Sequence, residues 1–146
     1  MARRTFFSFH YEIDVWRASV VRNSAKPKAS IDTDFIDASL WKESKLKGNA
    51  ALQRLIDNAL VGTSVTAVLI GSHTSKRPWV KYEIDKSVER RNGLLGIRIN
   101  NIKDKDGNTS APGNNPLTSE YRIYDWINND GYSNLGSWVE LAYKER

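Results

Sequence analysis

The chain has 146 residues, 40% of them hydrophobic and 27% charged, with a formal net charge of +5. This composition suits one domain with one core, excludes a disordered chain, and contains no run near the roughly 20 apolar residues of a membrane span. The absence of cysteine removes disulfides, thiolate zinc sites and Cys nucleophiles together, and His10 and His73 alone are too few for a histidine-rich metal site.

Residues 1–4 (MARR) lead straight into a strand-like segment with no signal-peptide apolar region, which points to the cytosol. The basic residues fall in short pairs (Arg3-Arg4, Lys76-Arg77, Arg90-Arg91) among Asp and Glu, so they form no stripe for nucleic acid. A mildly positive cleft suits a phosphorylated small molecule equally well.

Residues 4–9 (RTFFSF) read as an aromatic-rich strand, 12–21 as a helix, and the polar stretch 23–33 with Pro27 as a loop. A short strand is expected over 34–38. From 48 to 61 the apolar positions Leu52, Leu55, Ile56, Ala59 and Leu60 follow helical spacing. Residues 63–70 are continuous and β-branched, the pattern of a strand covered on both faces.

Pro78 fits the first turn of the next helix, where its missing N–H costs nothing. Val80, Ile84 and Val88 repeat every four residues and are expected to face the sheet, leaving Glu83 at the edge of their stripe. Asn92-Gly93 ends that helix, residues 94–99 (LLGIRI) form a fourth strand, 121–126 a last strand and 137–143 a short terminal helix. Between them, 101–117 is rich in Gly, Asn, Asp and Pro and long for a loop. Alternating strands and helices imply a parallel sheet of about five strands in a three-layer α/β fold, with 1–146 as one domain and an irregular region from about 100 onward.

Ligands in such a sheet bind beyond the carboxyl ends of the strands. Those ends carry Ser8, Phe9, His10 and Tyr11, then Asp37 to Trp41 (DASLW), then Gly71, Ser72, His73 and Thr74, with Glu83 on the following helix. Each has an ordinary structural explanation: a lone helix Glu is usually solvated, His10 can cap a strand end, and Trp41 and Trp79 can be peripheral core aromatics. No dinucleotide fingerprint, P-loop or G-x-S-x-G elbow is present.

The combination is more specific than its parts. The segments F-F-S-F-H-Y at 6–11, D-A-S-L-W at 37–41, S-V-T-A-V-L-I-G-S at 64–72 and W-V-K-Y-E-I at 79–84, in this order, resemble the TIR-like proteins of bacterial Thoeris antiphage systems, a group of small flavodoxin-like domains. The resemblance spans residues 3–108 and is weaker beyond. It implies a TIR fold and cleavage of the nicotinamide–ribose bond of NAD+, with no added cofactor and no metal. The family's essential glutamate, in a W-x-x-x-E pattern, matches Glu83. Ser8, Phe9 and His10 would border the nicotinamide-ribose pocket, Asp37 and Trp41 would lie on the loop after the second strand, and Ser72 and Trp79 would complete the substrate-binding set.

The chemistry is consistent with one carboxylate. Nicotinamide is a good leaving group that departs from an oxocarbenium-like ribose, so stabilising that cation is the main demand, and a second carboxylate is not required. Water as nucleophile would give ADP-ribose, an adenine nitrogen a cyclic isomer and another nucleophile a conjugate, and the sequence does not fix that choice. The implied partners are NAD+, a phage-derived activator, an effector protein that reads the messenger and a possible second copy of the chain, with no membrane and no nucleic acid. A non-catalytic TIR-like adaptor is the main alternative, and a nucleoside glycosyl-transfer enzyme a third.

Overall fold

The computed structural model describes residues 3–25, 31–34, 36 and 38–146. Five strands, β1 (Arg3–Ser8), β2 (Ile31–Asp34), β3 (Val65–Ile70), β4 (Gly93–Arg98) and β5 (Arg122–Asp125), form one sheet in the order β2-β1-β3-β4-β5. Every neighbouring pair is parallel. The helices are α1 (Val15–Ala25), α2 (Ala38–Lys47), α3 (Asn49–Leu60), α4 (Pro78–Glu89) and α5 (Gly131–Lys144), with a single 3-10 turn at Thr74–Lys76. This is the expected three-layer, flavodoxin-like arrangement.

Strand alternation divides the layers. Ser8 pairs in register with Val68 and Phe6 with Thr66, so these four side chains share a face. That face meets α4, whose Val80 joins Val68, Ile70, Leu94 and Leu117 in a small apolar cluster. Helices α1 and α5 pack on each other, and α5 lies on β1, β3 and β4 from the opposite side. β3 is buried at all six positions, as its unbroken apolar run requires.

Three expectations need correction. The second strand lies at Ile31–Asp34 rather than 34–38. It is an edge strand, and its four-residue sequence IDTD carries a weak apolar signal. Trp41, expected on the loop after the second strand, sits instead on helix α2. The terminal helix starts at Gly131, six residues before its expected beginning at 137, because glycines at 131 and 136 mask its helical pattern.

The fourth correction concerns the face of α4. Val80 is buried, but Val88 is 50% exposed, and the residues turned fully inward are Glu83 and Ser87. A chain of hydrogen bonds explains the rotation: Asn92 Nδ2 donates to Thr66 Oγ1 (3.3 Å), and the Thr66 and Ser87 hydroxyls meet at 2.7 Å. Ser87 Oγ in turn donates to the Glu83 carbonyl (2.7 Å). Since the Ser87 proton is committed there, Thr66 is the donor to Ser87.

Candidate active site

Strand order reverses between β1 and β3, which leaves a crevice beyond Ser8 and Ile70 at their carboxyl ends. Helix α4 delivers Glu83 to that crevice, with Pro78 preset at its first turn. Glu83 Oε1 accepts a hydrogen bond from Ser8 Oγ (2.6 Å) and Oε2 one from Tyr11 OH (2.7 Å). The carboxyl is fully buried. Burial pushes its pKa up to about 8, although the two hydroxyls, which favour the ionised form, pull the other way. The Tyr11 phenol is raised well above its ordinary value by burial first and by Glu83 second.

An aromatic series seals the carboxyl. Phe9 and Tyr11 lie 4.4 Å apart, Tyr11 stacks on Trp41 at 4.2 Å and 24°, and Trp79 meets Trp41 and Tyr82 edge-on at 6.3 and 5.5 Å. A cavity of about 440 Å³, lined by Tyr11, Glu12, Val15, Trp41, Lys42 and Lys45, opens at this stack. Two other cavities, of about 360 and 480 Å³, lie against α4 and residues 116–121 and at the amino ends of β4 and β5. None of the three is lined by Glu83 itself; the first is singled out because Tyr11, which lines it, donates to Glu83, and Trp41 stacks on Tyr11.

Of the residues expected from sequence, Ser8 touches Glu83 directly, while Phe9, Trp41 and Trp79 belong to the aromatic series. His10 serves the backbone instead. Its Nδ1 accepts from the Glu12 and Ile13 amides (3.3 and 3.4 Å), fixing the turn after β1. Burial, and next the Arg77 charge, lower its pKa, which suits an accepting neutral ring. Ser72 pairs with His73 Nδ1 (2.9 Å) instead of Glu83. Asp37 lies outside the described residues.

Sequence reasoning missed Tyr11 as a partner of Glu83, although it closes the F-F-S-F-H-Y segment. It missed Asp14 altogether. That residue is 1% exposed, and both carboxylate oxygens have no hydrogen-bond partner among the described residues. It faces Gly71, where an added Cβ would fall on the carboxylate and force the Asp14 side chain to move. Burial raises the Asp14 pKa, against the attraction of Arg17 and His73 and the influence of the neighbouring Thr74 hydroxyl, which falls outside hydrogen-bond geometry. Arg17 is occupied elsewhere, donating to the carbonyls of Ile102 (2.7 Å) and Asn108 (2.9 Å), which pins the irregular segment to α1.

The family model described as Thoeris protein ThsB, TIR-like domain, matches residues 6–106. The chain belongs to this family. That match takes in Ser8, Tyr11, Trp41 and Glu83, the four side chains that make the crevice. A relative from Bacillus cereus (strain MSX-D12), named "Putative cyclic ADP-D-ribose synthase ThsB1", is 38% identical over 192 aligned residues, covering 95% of this chain and 100% of the relative. The aligned span exceeds the length of this chain, so that ThsB protein carries internal stretches absent here. Among the described residues, no helix is long and apolar enough to cross a membrane.

Proposed function

We propose that the protein cleaves the nicotinamide–ribose bond of NAD+ and joins the ADP-ribosyl group to a nucleophile within the same molecule, giving a cyclic ADP-ribose messenger. The observation that carries this reading is Glu83: a single carboxyl, fully buried at the switch point of the sheet, with hydroxyl donors on both oxygens. The name of the 38% identical relative points to the same chemistry.

With a pKa of about 8, Glu83 is mostly protonated at neutral pH before substrate arrives. NAD+ brings a positively charged nicotinamide ring, and a cation beside a buried carboxyl favours its ionised form. The substrate thus helps create the carboxylate that its own cleavage needs. As the bond to nicotinamide breaks, positive charge moves onto the ribose, and the carboxylate in a dry site opposes it strongly. Ser8 fixes one oxygen so that the group does not reorganise as charge develops. Phe9, Trp41 and Trp79 supply flat apolar surface for the rings of NAD+. A site this well shielded from water favours attack by the tethered adenine over hydrolysis.

In this reading the protein makes a messenger during phage infection, a phage component releases its activity and a separate effector responds. The test is incubation of purified protein with NAD+, measuring nicotinamide release and product mass, with and without lysate from infected cells. The reading requires a product isomeric with cyclic ADP-ribose and its loss in Glu83→Ala. Undiminished nicotinamide release from that variant overturns it.

A further inference from the structure

Two consecutive side chains of the β1–α1 turn occupy partners that a dinucleotide would need. Tyr11 OH takes Glu83 Oε2 at 2.7 Å, the position a ribose hydroxyl would take if Glu83 held the sugar. Its ring stacks on Trp41 and so lies between the 440 Å³ cavity and the carboxyl. The next residue, Glu12, accepts from Lys45 Nζ (2.7 Å) and from Arg77 (3.2 Å), two cations carried by α2 and by the residue preceding α4. Those cations hold the Glu12 carboxyl below its ordinary pKa, with Lys45 the larger influence. A carboxylate shared by two cations occupies donors of the kind that bind phosphate. The Trp41 indole N–H, buried and without a hydrogen-bond partner among the described residues, is a donor that the present arrangement leaves unused.

We propose that Tyr11 and Glu12 form a built-in plug that mimics a ribosyl phosphate, Tyr11 standing for the sugar hydroxyl and Glu12 for the anion, so that a dinucleotide binds only by displacing this turn. The proposal rests on the reading of Glu83 as the ribose-facing group. It commits the ligand to a class: an anionic phosphate group joined to a ribose with a free hydroxyl, entering through the cavity beside Lys42 and Lys45.

The plugged and open states differ by the contacts each residue makes, which gives the variants opposite signs from ordinary binding residues. Tyr11→Phe keeps the ring but leaves a buried Glu83 oxygen unpartnered in the plugged state alone, so it favours opening. Since apparent affinity scales with the fraction of open protein, binding tightens by about tenfold if little of the protein is open at rest. Glu12→Gln frees the exposed Lys45 and the half-buried Arg77 and tightens binding by about two- to fivefold, an advantage that fades at high salt.

The experiment is calorimetric titration of the full chain and of the two variants and their double with ADP-ribose, which lacks nicotinamide and cannot be turned over, alongside KM for NAD+. Tighter ADP-ribose binding in the double variant, by about the product of the two single effects, supports the plug. Unchanged or weaker binding in it overturns the plug. Glu12 is exposed and its substitution spares the core, so Glu12→Gln carries the test should Tyr11→Phe not fold. If the variants bind ADP-ribose more tightly while NAD+ is untouched, the plug stands and the reaction assignment falls. If NAD+ is cleaved in a Glu83-dependent way with affinities unmoved by both changes, the reverse holds.

Discussion

Glu83 and Asp14 are both carboxyls buried at the carboxyl ends of the central strands, one from each side of the sheet, yet their surroundings differ completely. Glu83 has a hydroxyl on each oxygen, and Asp14 has none on either. Burial raises the pKa of both. A buried carboxyl that is hydrogen-bonded by groups from distant segments is preorganised and can present a charge in a fixed place. Asp14 lies against Gly71 without such donors among the described residues, so nothing fixes its oxygens for a substrate. Burial alone therefore does not distinguish the two carboxyls; the donors do.

The largest expected effect is on pH dependence, where the two carboxyls share a sign. Both groups titrate higher in the fold than in the unfolded chain, so each favours folding most below its ordinary pKa, and this contribution is lost as pH rises through the folded value. For Glu83 the window runs from the ordinary 4.5 to about 8. The free-energy difference across it is on the order of 5 kcal/mol. Denaturant unfolding across that range should show the protein weakening toward alkaline pH and Glu83→Gln flattening the slope. A wild-type slope equal to that of the variant would mean that Glu83 is not strained by ionisation.

Next in size is catalysis. Glu83→Ala should lower nicotinamide release about a thousandfold, equivalent to about 4 kcal/mol of transition-state stabilisation. Asp14→Asn should stay within about tenfold of the parent. The pH profile sharpens the distinction: kcat/KM should rise toward a limb near 8, the value for the free protein. The limb in kcat should lie lower, because the bound nicotinamide cation favours the carboxylate. Coincident limbs would argue against contact between the cation and Glu83.

Asp14→Asn should stabilise the protein by about 1–2 kcal/mol at alkaline pH and little at acid pH, since it removes an unpaired buried charge. Destabilisation at both extremes, measured by the same unfolding curves, would show that Asp14 has a partner after all. The smallest effect is expected from Ser87→Ala, which interrupts the Asn92–Thr66–Ser87 chain and should cost about 1 kcal/mol of stability while leaving nicotinamide release nearly intact. A collapse of activity there would mean that the orientation of α4 depends on this one hydroxyl.

The same contrast explains what the amino-acid sequence revealed. The strand-helix alternation, the continuous run of β3 and the proline opening α4 are local signals, and they led to the right architecture. The inward turn of Glu83 is not local: it depends on Ser8, 75 positions away, and on Thr66 meeting Ser87. Hydrophobic periodicity follows Val80, Ile84 and Val88 and cannot register polar residues that are buried because distant partners satisfy them. Glu83 is legible through its resemblance to a family motif, whereas Asp14, buried without a hydrogen-bond partner among the described residues, leaves no pattern to find. His10 illustrates the converse, a conspicuous residue at the mouth of a strand that serves its own turn.

The grip of Arg17 on the Ile102 and Asn108 carbonyls has a kinetic meaning. It anchors α1 close to its start, so residues 9–14 run between two fixed posts, the end of β1 and the first turn of α1. Six residues span about 20 Å at most, and a tethered segment of that length rearranges in roughly nanoseconds to microseconds. Turnover by enzymes commonly takes about a millisecond to a second. The turn bearing Tyr11 and Glu12 would thus sample its positions many times in each catalytic cycle, governing how much of the protein is ready for substrate rather than the pace of the bond-breaking step.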